Sequence, residues 1–254
     1  MKRRGAPASF PGEGVEIGIV GFGWFGRFAA EILGKVFPVS VFDRKPLSGQ
    51  SGVRFAALRE VARKPCLLLC VPISRMERVC RRLGPLLTPG QLVMDTCSVK
   101  EEPLRLMLDL FPESVDVLGT HPLFGPETGR HGIAGLDVVL CPGRGDRTGK
   151  VEQYLKELGL KVTVTSATEH DRAMARTQAL FHFLAQGFSR MKVGRDTLAT
   201  PGPAQLFRAF QDVRGDSRQL FRDLQQVNRF APAQRKKLID SLAALDRSLS
   251  RRRD

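Results

Sequence analysis

The sequence predicts an α/β chain: a mainly parallel sheet covered by helices on both faces, followed by a smaller all-α domain. Three observations carry this. Short apolar runs alternate with helical patterns from about residue 15 to 165, and such alternation builds parallel sheets because each return crossover needs a helix. The first apolar run, VEIGIV, passes through GFGWFG into the amphipathic FAAEIL. Beyond about residue 168 no stretch has strand character.

Taken in order, strands are predicted over 15–20, 39–42, 66–71, 91–95, 115–119, 136–141 and 161–165, with helices over 24–34, 73–84, 101–110 and 149–158. The part from 136 to 165 has the form strand–helix–strand, and periodicity leaves its pairing open. EHDRAMARTQALFHFLAQGFSRM then predicts one long helix, with Met174, Leu180, Phe181, Leu184 and Phe188 as an apolar stripe. Ser166, Thr168 and Asp171 are candidate caps for its start. Gly194 and TPGP (200–203) break it, and further helices follow over 204–214, 216–227 and 232–248. The predicted domains are therefore 13–166 and 167–248. The second is small and amphipathic, so pairing with a second copy is expected to bury its stripes.

Composition narrows the class. A mean hydropathy of -0.15 with 42% hydrophobic residues in 254 fits a water-soluble chain with a real core. The longest apolar runs, such as CLLLCVP (66–72), are strand-length, and no membrane association is expected. MKRRGAPASFPGEG lacks the apolar segment of a secretory signal. The five cysteines, Cys66, Cys70, Cys80, Cys97 and Cys141, form no CxxC pair and show no metal-ligand spacing. An odd count without a signal predicts the reducing cytoplasm. The net charge of +14 stands out. Its arginines and lysines are spread along the chain, with small clusters at Lys2-Arg3-Arg4, Arg235-Lys236-Lys237 and Arg251-Arg252-Arg253. With one Trp and one Tyr there is little aromatic surface for stacking bases. A solvated basic surface is favoured over nucleic-acid binding.

Gly21, Gly23 and Gly26 form GxGxxG between a strand and a helix, the arrangement of a Rossmann-type dinucleotide-binding domain. The first glycine permits the tight turn, the second lets a pyrophosphate approach the backbone, and the third lets helix and strand pack closely. The helix start, Trp24 and Phe25 onward, supplies amide donors and positive potential. VSVFDR ends at Asp43, seventeen residues beyond Gly26. A carboxylate there accepts ribose hydroxyls and repels a 2′-phosphate, which favours NAD. Arg44 beside it suits an adenine or that phosphate, so NADP is the alternative. The glycines serving only a turn is the competing, weaker reading.

Two loops at strand ends carry candidate chemistry. DTCSVKEE (95–102) is open to two interpretations: Ser98 caps a helix with Glu101 in a capping box, or its hydroxyl stands on the crevice rim beside His121 and a substrate hydroxyl. Lys100 is either a surface lysine or an attractor of an anionic substrate. His121, in GTHPLFGPE, follows the apolar VDVLG, so it sits at the carboxyl end of a strand, where a nicotinamide would lie. Imidazole there can take a hydroxyl proton as hydride leaves the carbon. A core histidine satisfied by backbone is the competing reading. His131 and His170 look like unremarkable surface and helix-start residues, and His182 like a buried structural one.

Together GFGWFG (21–26), DTCSVK (95–100), GTHPLFGPE (119–127) and EHDRAMARTQALFHF (169–183) resemble the prephenate/arogenate dehydrogenase family of tyrosine biosynthesis, in order from about residue 15 to 230. The resemblance implies a Rossmann domain with a helical dimerisation domain, hence a homodimer. It implies oxidative decarboxylation of prephenate or arogenate with reduction of a nicotinamide cofactor. By motif, His121 is the catalytic histidine and Ser98 its positioning partner, while Glu127 matches an acidic residue in ionic contacts gating the site. His182 matches a histidine facing the substrate, with Gln178 one turn earlier as a polar neighbour. One position departs from the pattern. Prephenate-using members carry an arginine shortly after a Ser/Thr-Pro; in TPGPAQLFR (200–208) the counted position is Ala204. Arg208, one turn on, is the candidate substitute, and prephenate against arogenate stays open. The rival of a different class is a noncatalytic dinucleotide sensor or nucleic-acid-binding protein on the same scaffold.

Overall fold

The computed structural model describes residues 15–45, 53–191, 200–214 and 216–250. The lead-in before residue 15, Gly194 and the basic clusters at 2–4 and 251–253 lie outside them. The chain divides into two units, Met1–His170 and Asp171–Asp254.

The first unit holds β1 (Ile17–Val20), α1 (Trp24–Leu33), β2 (Val39–Phe42), β3 (Arg54–Phe55), α2 (Leu58–Val61), β4 (Cys66–Leu69) and α3 (Ile73–Leu83). It continues with β5 (Leu92–Asp95), α4 (Glu101–Leu110), β6 (Asp116–Pro122), α5 (Pro126–Gly129), β7 (Asp137–Arg144), α6 (Thr148–Glu157) and β8 (Lys161–Val164). The strands form one sheet in the order β3-β2-β1-β4-β5-β6-β7-β8, parallel at every neighbour except β6–β7. This is the Rossmann-type α/β fold that the alternation predicts. Because β1 lies between β2 and β4, the strand order reverses at β1, the arrangement that in open α/β sheets leaves a crevice at the carboxyl ends of those strands.

Burial explains the strand sequences. IGIV and CLLL are buried along their whole length, so they read as continuous apolar runs without alternation. Each aliphatic side chain sealed there contributes about 1.5–3 kcal/mol over leaving it in water. In α3, Ile73, Met76, Cys80 and Leu83 form the inward stripe. Two features depart from expectation. β3 and the one-turn α2 lack a predicted counterpart, since two residues are too few to show a period. β6 runs to Pro122, past the predicted end at 119, because antiparallel β7 supplies it with partners: His121 lies opposite Val139 and Pro122 opposite Val138.

The helix α7 (Ala167–Met174) starts with a side-chain cap from Ser166. Ser166 Oγ accepts from the Glu169 amide at 3.1 Å, while the Glu169 carboxylate accepts from Ser166 and Thr165 hydroxyls at 3.3 and 2.9 Å. Of the candidate caps Ser166 serves; Thr168 and Asp171 do not. The predicted single long helix is interrupted by a π turn over Ala175–Ala179 before α8 (Leu180–Arg190). There Thr177 Oγ1 donates to the Ala173 carbonyl at 2.9 Å, a side-chain competitor for the helical ladder.

The second unit is completed by α9 (Pro201–Arg214), α10 (Arg218–Gln226) and α11 (Ala231–Ser250), with no strand among its described residues. Phe181 and Phe188 each lie 5.3 Å from Phe210, ring to ring, joining α8 to α9. Gln225 Nε2 donates to the Ala179 carbonyl and Asn228 Nδ2 to the Asp171 carbonyl, each at 2.7 Å, pinning α10 and the turn after it. TPGP, expected only to break a helix, supplies the first turn of α9; Pro201 needs no amide partner at that position.

Candidate active site

The glycine loop is built by steric demand. Gly21 has φ +101°, and a β-carbon there would stand 2.3 Å from the Cys70 carbonyl oxygen. A β-carbon on Gly26 would stand 2.2 Å from the Gly21 oxygen, so that glycine lets α1 close onto β1. At Gly23 the same addition meets nothing within 4 Å, which leaves open space over the loop. Gly23 also caps α1 without a side-chain bond, so the first amides of that helix are available to an anion. These features fit a dinucleotide pyrophosphate. Asp43 Oδ2 accepts from the Phe22 amide at 2.7 Å and Oδ1 from the Lys45 amide at 2.9 Å, so the carboxylate is fixed at the mouth of the loop. Trp24 is 56% exposed and Arg44 is exposed. The Phe25 ring packs on the core, which leaves its backbone amide for the role expected of the helix start.

The carboxyl ends of β5 and β6 carry the second half of the site. His121 is 3% exposed, and its Nδ1 lies 2.9 Å from Nε2 of His170, itself 2% exposed. Burial, His170 and Lys100 all hold the His121 imidazole well below the usual histidine range, burial most of all. The ring is therefore neutral at pH 7. Its Nε2 has no partner among the described residues, and it is not a sealed, orphaned atom; the only such side-chain atom described is Gln178 Oε1. In the tautomer that carries its proton on Nδ1 and donates it to His170, Nε2 presents a lone pair.

Beneath His121 lies a buried ion pair. Lys100 and Asp95 side chains are both 0% exposed and in contact. Lys100 Nζ also donates to the Thr120 carbonyl at 2.5 Å, and Asp95 Oδ1 accepts from the Thr120 amide at 3.3 Å. The Thr120 hydroxyl donates to the Asp95 carbonyl. Lys100 is thus neither of the things its sequence suggests. Nor does Ser98 cap α4: the capping position is Lys100, without a side-chain cap. Glu101, expected in a capping box, instead accepts from Thr168 Oγ1 at 2.6 Å, tying the start of α4 to α7. Ser98 is half-buried on the loop between β5 and α4, and no Ser98–His121 hydrogen bond occurs among the described residues.

Glu127 on α5 is exposed and pairs with Arg130 at 3.5 Å. In the second unit His182 is buried, 3.6 Å from the Asp216 carboxylate. An ionised neighbour would favour imidazolium, yet burial dominates at that separation, pushing His182 down to about 4 and Asp216 up. Gln178 stands in the π turn with its buried Oε1 unbonded, and Arg208 is exposed on α9.

The chain is similar to known proteins over most of its length. Residues 44–164 match the family model described as prephenate dehydrogenase, nucleotide-binding domain, and residues 188–254 match one described as TYRAAT1-like, C-terminal domain. The chain belongs to the prephenate/arogenate dehydrogenase family. It is 31% identical over 223 residues to a probable arogenate/prephenate dehydrogenase of Methanocaldococcus jannaschii, covering 81% of this chain and 49% of that one. It is 29% identical over 225 residues to the chloroplastic arogenate dehydrogenase 1 of Arabidopsis thaliana, covering 83% and 35%. The chain thus spans half or less of those two relatives' length. In fold it is similar to prephenate dehydrogenase of Aquifex aeolicus in complex with hydroxyphenyl propionate and NAD+, with a TM-score of 0.75 at 18% identity, covering 93% of this chain and 91% of that one.

Within this member of the prephenate/arogenate dehydrogenase family, sequence reasoning missed three residues that the structure draws to His121. They are Asp95, Lys100 and His170. His170 had a signal in the EHD helix start, but nothing in the sequence showed that its ring turns inward. No periodicity announces a buried lysine.

Proposed function

We propose that this protein oxidatively decarboxylates prephenate, arogenate or both, passing hydride to a nicotinamide cofactor, as a step toward tyrosine. One observation carries it: a neutral histidine at the carboxyl end of β6, backed at Nδ1 by His170 and open at Nε2, on the sheet edge that carries the glycine loop. Support for the cofactor comes from Gly21, Gly23, Gly26, the first amides of α1 and Asp43, with Arg44 at the rim. Asp43 favours NAD; NADP is the alternative, and one relative is named a probable NADP-dependent prephenate dehydrogenase. When bound there, the nicotinamide supplies a hydride acceptor.

His121 accepts the ring hydroxyl's proton on Nε2 while the hydroxyl-bearing carbon loses hydride. The carboxylate then leaves as CO2, its bonding electrons complete the aromatic ring, and the ring oxygen takes its proton back from His121. Because aromatisation drives the reaction, orientation and one proton acceptor are what the protein must add. Ser98 is assigned to orient the substrate hydroxyl. Glu127, Gln178, His182 and Arg208 are assigned to the substrate on the family resemblance, Gln178 with the added support of its unbonded Oε1. With Ala204 at the usual arginine position, the carboxylate grip falls to another cation, and Arg208 is our candidate. We further propose a homodimer through the helical unit, supported by Ile239, Leu242, Leu245 and Leu249 exposed at helical spacing on α11. No helix among the described residues is long and apolar enough to cross a membrane. The odd count of five cysteines supports a reducing compartment, and we assign the protein to the cytoplasm.

The test is steady-state reduction of NAD and of NADP with prephenate and with arogenate in turn. Turnover is expected in at least one of the four combinations, with NAD the better acceptor. Absence of turnover in all four, with salt-dependent retention on DNA, would favour a noncatalytic nucleic-acid-binding protein.

A further inference from the structure

The sheet edge under His121 contains charge that the reaction as proposed does not use. Taking a lysine and an aspartate wholly out of water is costly, and replacing such pairs by apolar residues is often neutral or stabilising. Here the pair is not simply packed away. Asp95 accepts from the Cys97 amide at 2.8 Å and from the Thr120 amide, and Lys100 donates to the Thr120 carbonyl. Both backbone groups of Thr120, the residue before His121, are therefore held by these two side chains, and its hydroxyl is held by the Asp95 backbone. Glu101, the next residue, binds Thr168, two residues before His170. The segment from 95 to 101 thus brackets both histidines.

We infer that the Asp95–Lys100 pair is a positioning device for His121: it fixes the strand backbone that carries the imidazole and sets a positive charge on the peptide link into that residue. This rests on His121 being the base proposed above. Among the described residues, the charged and titratable groups acting on the ring are His170 from α7 and Lys100 from the β5–α4 segment, the latter paired with Asp95. From β7 the residues opposite Thr120 and His121 are Leu140 and Val139, which carry no charge. The ammonium opposes protonation of the imidazole, in line with the direction of its titration. A base that must be neutral to act is thereby kept neutral at lower pH.

The experiment compares wild type, Lys100→Arg and the double variant Asp95→Asn/Lys100→Met, which removes both charges together and avoids an unpaired buried carboxylate. Two readouts are taken on the holoenzyme: the pH profile of kcat/KM and the NMR titration of the His121 ring. In the double variant the acid limb and the His121 midpoint should both rise by about one pH unit, a tenfold gain in proton affinity. kcat should fall by about tenfold to a hundredfold through misplacement, with the cofactor KM within about twofold. Lys100→Arg should lower kcat and leave the midpoint in place, since it keeps the charge. A double variant that loses activity with midpoint and acid limb unmoved would reduce the pair to structural support, and unchanged kcat would also overturn the inference. Should the double variant not fold, the wild-type titration decides: a His121 midpoint at or above about 6.5 contradicts a cation opposing the ring's protonation. Because the titration needs no turnover, its failure is distinguishable from failure of the proposed reaction.

Discussion

His121 and His182 are both buried neutral, each mainly by desolvation, with His170 and Lys100 adding to it at His121. Each has a folded-state affinity for protons below that of the unfolded chain. Stability from these residues is complete above about pH 6.5 and is lost as pH falls, because the unfolded state takes up protons first. For His182 the loss continues to about 4. Each histidine should add a slope of about 1.4 kcal/mol per pH unit within that window. Chemical denaturation between pH 7 and 5, above the range where most carboxylates titrate, should show unfolding free energy falling with pH. His121→Asn and His182→Asn should each flatten the curve, and a flat wild-type curve would show that these rings are hydrated. At this scale the sequence was legible where type and position coincide: a histidine before a proline at a strand end, an aspartate closing β2. It was illegible where burial decides, as at Lys100 and His170, because a charged or polar residue is surface by default until a partner in another element is known.

Elements were legible in proportion to their length and periodicity. Most predicted strands and the longer helices stand within a few residues of the observed bounds, since their apolar spacing is the same thing as their packing face. The two-residue β3 offered no pattern, and the antiparallel turn of β7 depends on which edge the chain returns to, which no local signal encodes. The π turn in the long helix depends on Thr177 bonding back to Ala173 and on Gln225 reaching Ala179, contacts from outside the local period. α11 is legible in a different way. Its outward leucines have no covering element within the described residues of their unit, and a second copy is the cover we propose. Leu242→Asp/Leu245→Asp should convert a dimer to monomer in sedimentation analysis while leaving the helical circular dichroism signal intact. A wild-type monomer at micromolar concentration would contradict this.

For the whole molecule, the net charge of +14 was the feature that pulled hardest toward another class. Some of the basic side chains among the described residues are in surface pairs with acidic neighbours one helical turn away, as at Arg81–Glu77, Arg105–Asp109 and Lys156–Glu152. Such pairs are worth little individually and describe a solvated surface. The glycine loop, the edge histidine and the matched family instead point one way. The most direct test of that account is the kcat of His121→Asn measured beside its cofactor Kd. Loss of the base should lower kcat by about a hundredfold to ten-thousandfold, while the Kd stays within about threefold. An unchanged kcat in a folded, cofactor-binding variant would contradict it.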